Sequence, residues 1–283
     1  MRILPNERIQ NALRCPICKE PLSCSANGAS VICNGAKHHC YDFASSGYVN
    51  LMAPGHAGGG DSKQAVRART EFLNQGYYAP AAEALATALK DYGVPHNGLV
   101  IDAGCGEGYY STFLGQQGYS VAGVDLSKFA VDAAAKRSAR QGIMDSFFGV
   151  ASVYSLPFSN ESASAVVNSF APCVEEEYLR VLKQGGILAV MYAGPRHLMG
   201  LKQALYTQTK ENDGRDDLPK GMHLLEERRV QFEISVQGQA SIQNLFAMTP
   251  YYWKTSPADS EKLTKVQELT TTVDMMIALY QKV

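Results

Sequence analysis

Two groups of residues stand out for the chemistry that their types and spacing allow. The first begins with "CPIC", where Cys15 and Cys18 can grip one face of a tetrahedral metal through their thiolates. Cys33 lies 15 residues further on and offers a third ligand. The stretch "CNGAKHHCYDF" then supplies His38, His39 and Cys40 as candidates for the fourth. Spacing alone slightly favours His38, because such knuckles are tight, and leaves His39 and Cys40 within reach. Cys24 is a bystander by spacing. With four protein ligands the zinc is structural, since a catalytic zinc keeps an open position. The second group is "DAGCGEG", which places Gly104, Gly106 and Gly108 directly after an apolar run, with Asp102 before them and Glu107 among them. Glycines at such a turn let backbone N–H groups approach a ligand closely and lead the chain into a helix.

Charge decides which ligand suits the glycine turn. A pyrophosphate wants a helix N-terminus and no nearby acid. Asp102 and Glu107 would repel it, and they suit a cofactor carrying an ammonium and a sulfonium, S-adenosylmethionine. Asp125 ends the next strand at "GVD", where it can accept hydrogen bonds from ribose hydroxyls. "SLPF" (155–158) and "LKQGG" (182–186) follow at the spacing seen in methyltransferases that use this cofactor. "NSFAPC" ends the fourth strand, and Asn168, Ala171 and Pro172 are expected to line the methyl end of the site. Asn168 is a poor proton acceptor, so the catalytic base is left unassigned. Lys63, Arg67 and Arg69 are candidate phosphate contacts. Tyr77 and Phe72 are candidates for stacking on a base, with core packing favoured for Phe72.

The elements that must position these residues follow a clear alternation. "GLVIDAG", "YSVAGVDLS", "SFFGVAS", "ASAVVNSF" and "GGILAVMYAG" read as strands, with helices after the first, second and fourth. This alternation predicts an α/β fold, a doubly wound and mainly parallel sheet. "DSKQAVRARTEFLNQGYYAPAAEALATALKDYG" reads as two helices, the first capped by Asp61 or Ser62 and the second carrying Pro80 in its first turn. In the tail, "RVQFEISVQGQ" reads as a strand, "ASIQNLFAMT" as a helix, and the stretch near 260–281 as a last helix. The glycine-rich "APGHAGGGDS", 53–62, is expected to be a flexible linker. The chain thus divides into a zinc-binding ribbon at 1–50, a linker and connecting helix at 51–76, and a catalytic domain at 77–283. A ribbon of this size holds too little apolar surface to fold by burial alone, so zinc would supply folding energy.

The composition agrees. The chain has 283 residues, 46% of them hydrophobic, enough for one core and a small module. No apolar run spans a bilayer and no secretory signal is evident, which places the protein in the cytoplasm. Five of the seven cysteines fall in the first 40 residues, and in a reducing compartment that clustering favours metal over disulfides. Residues 1–76 carry eight Lys/Arg against five Asp/Glu, on a chain whose net charge is −1. The mildly basic front marks where a polyanion would land.

"CPIC", "GYVNLM", "RARTEFLNQGYY", "DAGCGEGYY", "APC", "GPRHLM" and "MTPYYWK" together resemble the bacterial 23S rRNA (guanine-N1)-methyltransferases. The resemblance runs from about residue 15 to 253. It implies a zinc ribbon ahead of a seven-stranded class I methyltransferase sheet. It selects His39 as the fourth zinc ligand, by counting back from Tyr41-Asp42 and from Tyr48. It implies Gly106 and Glu107 at the amino-acid end of the cofactor, with Gly104 beside them and Asp125 at the ribose. It also implies Tyr78 and His197 facing the cofactor, roles that neither residue would suggest by itself. The implied activity is methylation of guanine N1 in a 23S rRNA hairpin near the peptide exit tunnel. One branch of the family is linked to resistance to macrolides such as tylosin, and a homodimer is implied. Two rivals remain at this level. A metabolite methyltransferase shares "LPF" and "LKQGG" but has little use for a zinc ribbon. A non-catalytic cofactor-binding protein would bind without turnover.

Overall fold

The computed structural model describes residues 4–53, 55 and 59–283. Pro54 and residues 56–58 of the expected glycine-rich linker lie outside them. A short helix, α1 (Glu7–Ala12), opens the chain, capped by the Asn6 side chain, which accepts from the Ile9 N–H. Strands β1 (Leu22–Cys24), β2 (Ser30–Cys33) and β3 (Cys40–Asp42) form a three-stranded antiparallel ribbon. β4 (Val49–Asn50) follows, then helix α2 (Lys63–Leu73), capped by Ser62, and α3 (Ala79–Asp91), with Pro80 in its first turn. Strand and helix then alternate: β5 (Leu99–Ala103), α4 (Tyr109–Gln116), β6 (Ser120–Asp125), α5 (Lys128–Arg140) and β7 (Ser146–Val150). β8 (Ala163–Ser169), α6 (Glu175–Val181), β9 (Leu182–Ala193) and α7 (Met199–Leu205) come next. β10 (His223–Gln237), α8 (Gln239–Ala247), α9 (Tyr251–Lys254), α10 (Pro257–Glu261) and β11 (Glu268–Gln281) complete the fold.

The main sheet runs in the order β10-β11-β9-β8-β5-β6-β7-β4. The strands from β4 to β9 are parallel to their neighbours, and β11 is antiparallel to both β9 and β10. Strands β5 and β7 are buried at every position, as expected where helices cover both faces of a parallel sheet. All seven strands of the expected class I sheet are present, and β4 adds an eighth at the edge, with Val49 opposite Gly149 of β7. The strand order reverses direction at β5, so the crevice between the β5 and β8 loops is where this architecture binds ligands.

The tail departs from the sequence reading. Helix is expected near 260–281, but helical structure there ends with α10 and the 3-10 turn Lys262–Lys265, and β11 is a strand between β9 and β10. Its central residues Val273 and Met275 to Tyr280 are nearly all buried, on both faces. Apolar residues therefore follow one another without alternation, and such a run reads equally as a buried helix. The β-branched series Thr270, Thr271, Thr272 and Val273 is the local signal for a strand.

The ribbon and the sheet share one core. Ile9, Leu13, Leu22, Val31 and Phe43 bury in the same apolar cluster as Leu99, Ile101, Phe147 and Phe158. Backbone bonds seal the join: the Arg14 N–H donates to Pro157 O at 2.8 Å, and the Ser159 N–H to Ala12 O at 2.7 Å. Among the described residues no helix is long and apolar enough to cross a membrane.

Candidate cofactor site and metal centre

The ligand atoms of Cys15, Cys18, Cys33 and His39 all lie within 4.8 Å of one another. His39 Nδ1 is 3.4 Å from Cys15 Sγ and 3.6 Å from Cys18 Sγ, and Cys18 Sγ is 3.3 Å from Cys33 Sγ. The backbone chooses among the three neighbouring candidates. His38 sits in a turn at φ +45°, with its Nδ1 3.3 Å from Cys33 O. Cys40 is exposed at the start of β3, whose alternation turns Tyr41 the other way, its OH 3.2 Å from Cys15 Sγ. His39 precedes β3 on the Tyr41 side and so joins the thiolates. Cys24 stays outside the group. The Gly35 N–H donates to Cys33 Sγ at 3.3 Å, an outer contact of the kind that orients a ligating thiolate. Three thiolates and one imidazole are a structural zinc set.

At the C-terminal end of β5 the three glycines all take left-handed φ: +85° at Gly104, +55° at Gly106 and +78° at Gly108. A Cβ on Gly104 would overlap the Ala171 methyl, so the loop after β5 lies flush against the loop after β8. Asp102 is buried, and its Oδ2 accepts from Ser111 Oγ at 2.5 Å. Its Oδ1 is buried without any hydrogen bond, as are Glu107 Oε1 and the Tyr78 OH. Burial pushes the Asp102 carboxyl up to about 7, the Ser111 hydrogen bond opposes this, and the charges of Asp125 and Glu107 raise it further. Asp125 accepts from the Gly106 N–H at 3.1 Å through Oδ2 and from the Ser127 N–H at 2.8 Å through Oδ1.

Tyr78 and His197, 119 positions apart, meet with ring centroids 6.2 Å apart at 64°. The Asp274 N–H donates to His197 Nδ1 at 3.2 Å, and burial pushes the imidazole down to about 4. His197 is therefore neutral near pH 7, with its proton on Nε2 as a donor. A buried acid with a free oxygen at Asp102, a second at Glu107 whose Oε1 has only a 3.8 Å ion pair with Arg137, a glycine turn open to close approach and a second-strand acid fit a cofactor bearing an ammonium, a sulfonium and a ribose.

The β8 loop is held from within. The Asn168 amide donates to Pro172 O at 2.9 Å and to the Tyr178 OH at 2.8 Å, and its Oδ1 accepts from Arg215 Nη1 at 3.3 Å. All the polar atoms of Asn168 are thus engaged in shaping the loop. Arg215 also donates to Ala171 O at 2.5 Å and pairs with Asp217, whose Oδ2 accepts from the Cys173 N–H at 2.9 Å. Phe170, at φ +57°, stays half exposed, its ring centroid 6.0 Å from that of His197. Arg215 and Asp217 carry no motif in the sequence, and within "NSFAPC" nothing in its residue type marks Phe170. Only a strained bulky residue and a distant ion pair reveal them.

The candidate RNA contacts separate. Arg67 is exposed and pairs with Glu71 at 2.6 Å. Phe72 is fully buried and stacks on Tyr77 at 5.0 Å, so it packs the core, while the Tyr77 OH accepts from the Gln237 N–H at 3.3 Å. Arg69 leaves the expected phosphate role: it turns inward, paired with Asp61 at 2.6 Å and beside Glu107 and Asp125.

Fold and site define a class I S-adenosylmethionine-dependent methyltransferase carrying an N-terminal zinc ribbon. Residues 100–186 match a methyltransferase domain family, and residues 13–56 match the family described as RlmA, N-terminal. A Streptomyces fradiae protein named 23S rRNA (guanine(748)-N(1))-methyltransferase is 30% identical over 277 residues, 94% of this chain and 95% of that protein. A Micromonospora griseorubida protein with a provisional 23S rRNA (guanine-N(1)-)-methyltransferase name is 28% identical over 96% of this chain and 97% of its own. Bacillus subtilis YxjB, with the same provisional name, is 27% identical over 94% and 96%. The chain belongs to the 23S rRNA (guanine-N1)-methyltransferase family.

Proposed function

We propose that this enzyme acts in the cytoplasm and methylates N1 of a guanine in a 23S rRNA hairpin near the peptide exit tunnel, with an effect on sensitivity to macrolides such as tylosin. The observation that carries this reading is similarity along the whole chain, ribbon and catalytic loops together, to relatives named for that reaction. The site chemistry supports it. S-adenosylmethionine supplies a methyl already activated by its sulfonium. The protein must then hold the nucleophile in line, which can account for most of the rate. Guanine N1 carries a proton at neutral pH and lies on the Watson–Crick edge, so the base must be unpaired or opened to react. Asp102 and Glu107 would face the cofactor ammonium, with Asp125 at the ribose. Tyr78 and His197 would close the site, His197 as a neutral donor. Ala171 and Pro172 would present the methyl end of the substrate loop, and Asn168 would hold that loop in shape. Cys15, Cys18, Cys33 and His39 would hold the zinc of a ribbon that grips the RNA.

Reverse transcription across 23S rRNA transcripts, after incubation with the protein and S-adenosylmethionine, tests the reading. N1-methylguanine blocks pairing, so extension stops immediately before it. A cofactor-dependent stop within the exit-tunnel hairpin is the expected result. Cofactor binding without a stop on naked transcript or on ribosomal particles would shift the substrate to a metabolite.

A further inference from the structure

Arg67 and Arg69 lie two positions apart on α2, so the helix turns them to nearly opposite sides. The Arg67 side chain is 79% exposed, whereas that of Arg69 is 24% exposed and enters the cofactor crevice. Its Nη2 is 2.6 Å from Asp61 Oδ2. Its Nη1 lies 3.6 Å from the point that a Cβ on Gly106 would occupy. The residues ahead of α2 are fastened to the same site. Asp61 O accepts from Ser127 Oγ at 2.7 Å, and Gly60, at φ +82°, lies against the Ser127 backbone with no room for a side chain. Ser127 caps α5 two residues after Asp125.

Arg69 faces three acids at the glycine turn, Glu107, Asp61 and Asp125, and Glu107 has a second cation in Arg137, whose Nη2 lies 3.8 Å from its Oε1. Only Asp61 bonds to it directly, and among the described residues Nε and Nη1 have no hydrogen-bond acceptor. The crevice therefore offers two unmet demands side by side. Asp102 Oδ1 lacks a donor, Glu107 Oε1 has only the 3.8 Å ion pair with Arg137, and one edge of the Arg69 fork lacks an acceptor. An α-amino acid group meets both at once, its ammonium toward the acids and its carboxylate toward the guanidinium.

We propose that Arg69 binds the α-carboxylate of the methionyl moiety of S-adenosylmethionine, with Asp61 orienting the guanidinium. The inference rests on the cofactor reading of the glycine turn and adds a residue to it from outside the catalytic sheet. It also gives the segment joining ribbon to sheet a part in cofactor binding, because Asp61 and Arg69 both belong to that segment.

Two ligands isolate the contact. S-adenosylhomocysteine carries the amino-acid group, and 5′-deoxy-5′-methylthioadenosine keeps the nucleoside and sulfur without it. Affinities of both are measured by calorimetry on the full-length, zinc-loaded protein. Arg69→Gln is expected to weaken S-adenosylhomocysteine about 10- to 100-fold, the range for a charged hydrogen bond, and to leave methylthioadenosine unchanged. Arg69→Lys keeps the charge without the fork and should fall between. Arg67→Gln should change neither ligand. Equal weakening of both ligands by Arg69→Gln, with Arg69→Lys behaving the same way, would mean a general disturbance of the site and overturn the proposal. So would unchanged affinity for S-adenosylhomocysteine. Failure of the unsubstituted protein to bind either ligand would instead remove the cofactor reading beneath it.

Discussion

Asp102 shows what the site demands of a single residue. Its pKa, raised to about 7 from the 3.8 of an ordinary aspartate, means that the folded protein holds a proton that the unfolded chain has released. Stability therefore falls as pH rises between those two values, and the full penalty is present above pH 7. A cofactor ammonium favours the ionised form, so affinity should move the opposite way. S-adenosylhomocysteine should bind about tenfold more tightly at pH 8 than at pH 6, with Glu107 and Asp125, also raised by burial, contributing in the same direction. Asp102→Asn should flatten most of that dependence, weaken binding about 10- to 100-fold and raise the melting temperature at pH 8 by about 3–10 °C. Calorimetry across pH and thermal denaturation of the same variant check both halves. A variant that loses affinity and stability together would show that the buried carboxylate is structural.

At the scale of elements, the β8 loop depends on a segment that follows it by more than 40 residues. Arg215 ties Asn168, Ala171 and Asp217 together, and its hydrogen bond to Asp217 holds that carboxyl down at about 2, so the brace persists across the working pH range. Arg215→Ala should lower kcat for RNA methylation about 10- to 100-fold through loss of positioning, and leave the affinity for S-adenosylhomocysteine within about twofold, since no cofactor-facing atom is removed. Steady-state kinetics beside calorimetry separate the two effects. Loss of both would mean that the brace supports the glycine turn as well, through the contact between Gly104 and Ala171.

The molecule as a whole joins ribbon to sheet through a common apolar cluster and through β4 at the sheet edge. Zinc should then stabilise more than the ribbon. Metal removal by a chelator, or Cys33→Ser, should lower the melting temperature of the entire chain in one transition and abolish the reverse-transcription stop. Two well-separated transitions, with the catalytic one unmoved, would show that the modules fold independently.

Sequence alone carried what depends on neighbours along the chain. "CPIC" and Cys33 announce the metal, and "DAGCGEG" announces the glycine turn, because a knuckle and a left-handed turn are local demands on residue type. The β-α alternation from 98 to 193 was legible because buried parallel strands and amphipathic helices leave different periodicities. Among residues alone, His38 stayed ahead of His39. The turn at 38 and the alternation of β3 decided between them, and both depend on how β2 and β3 pair. The strand β11 read as a helix because burial on both faces erases alternation, and only its place between β9 and β10 imposes it. Tyr78 against His197, Arg215 on the β8 loop and Arg69 over Gly106 join residues far apart in the chain. No local pattern encodes them; the close packing of a doubly wound sheet brings them together.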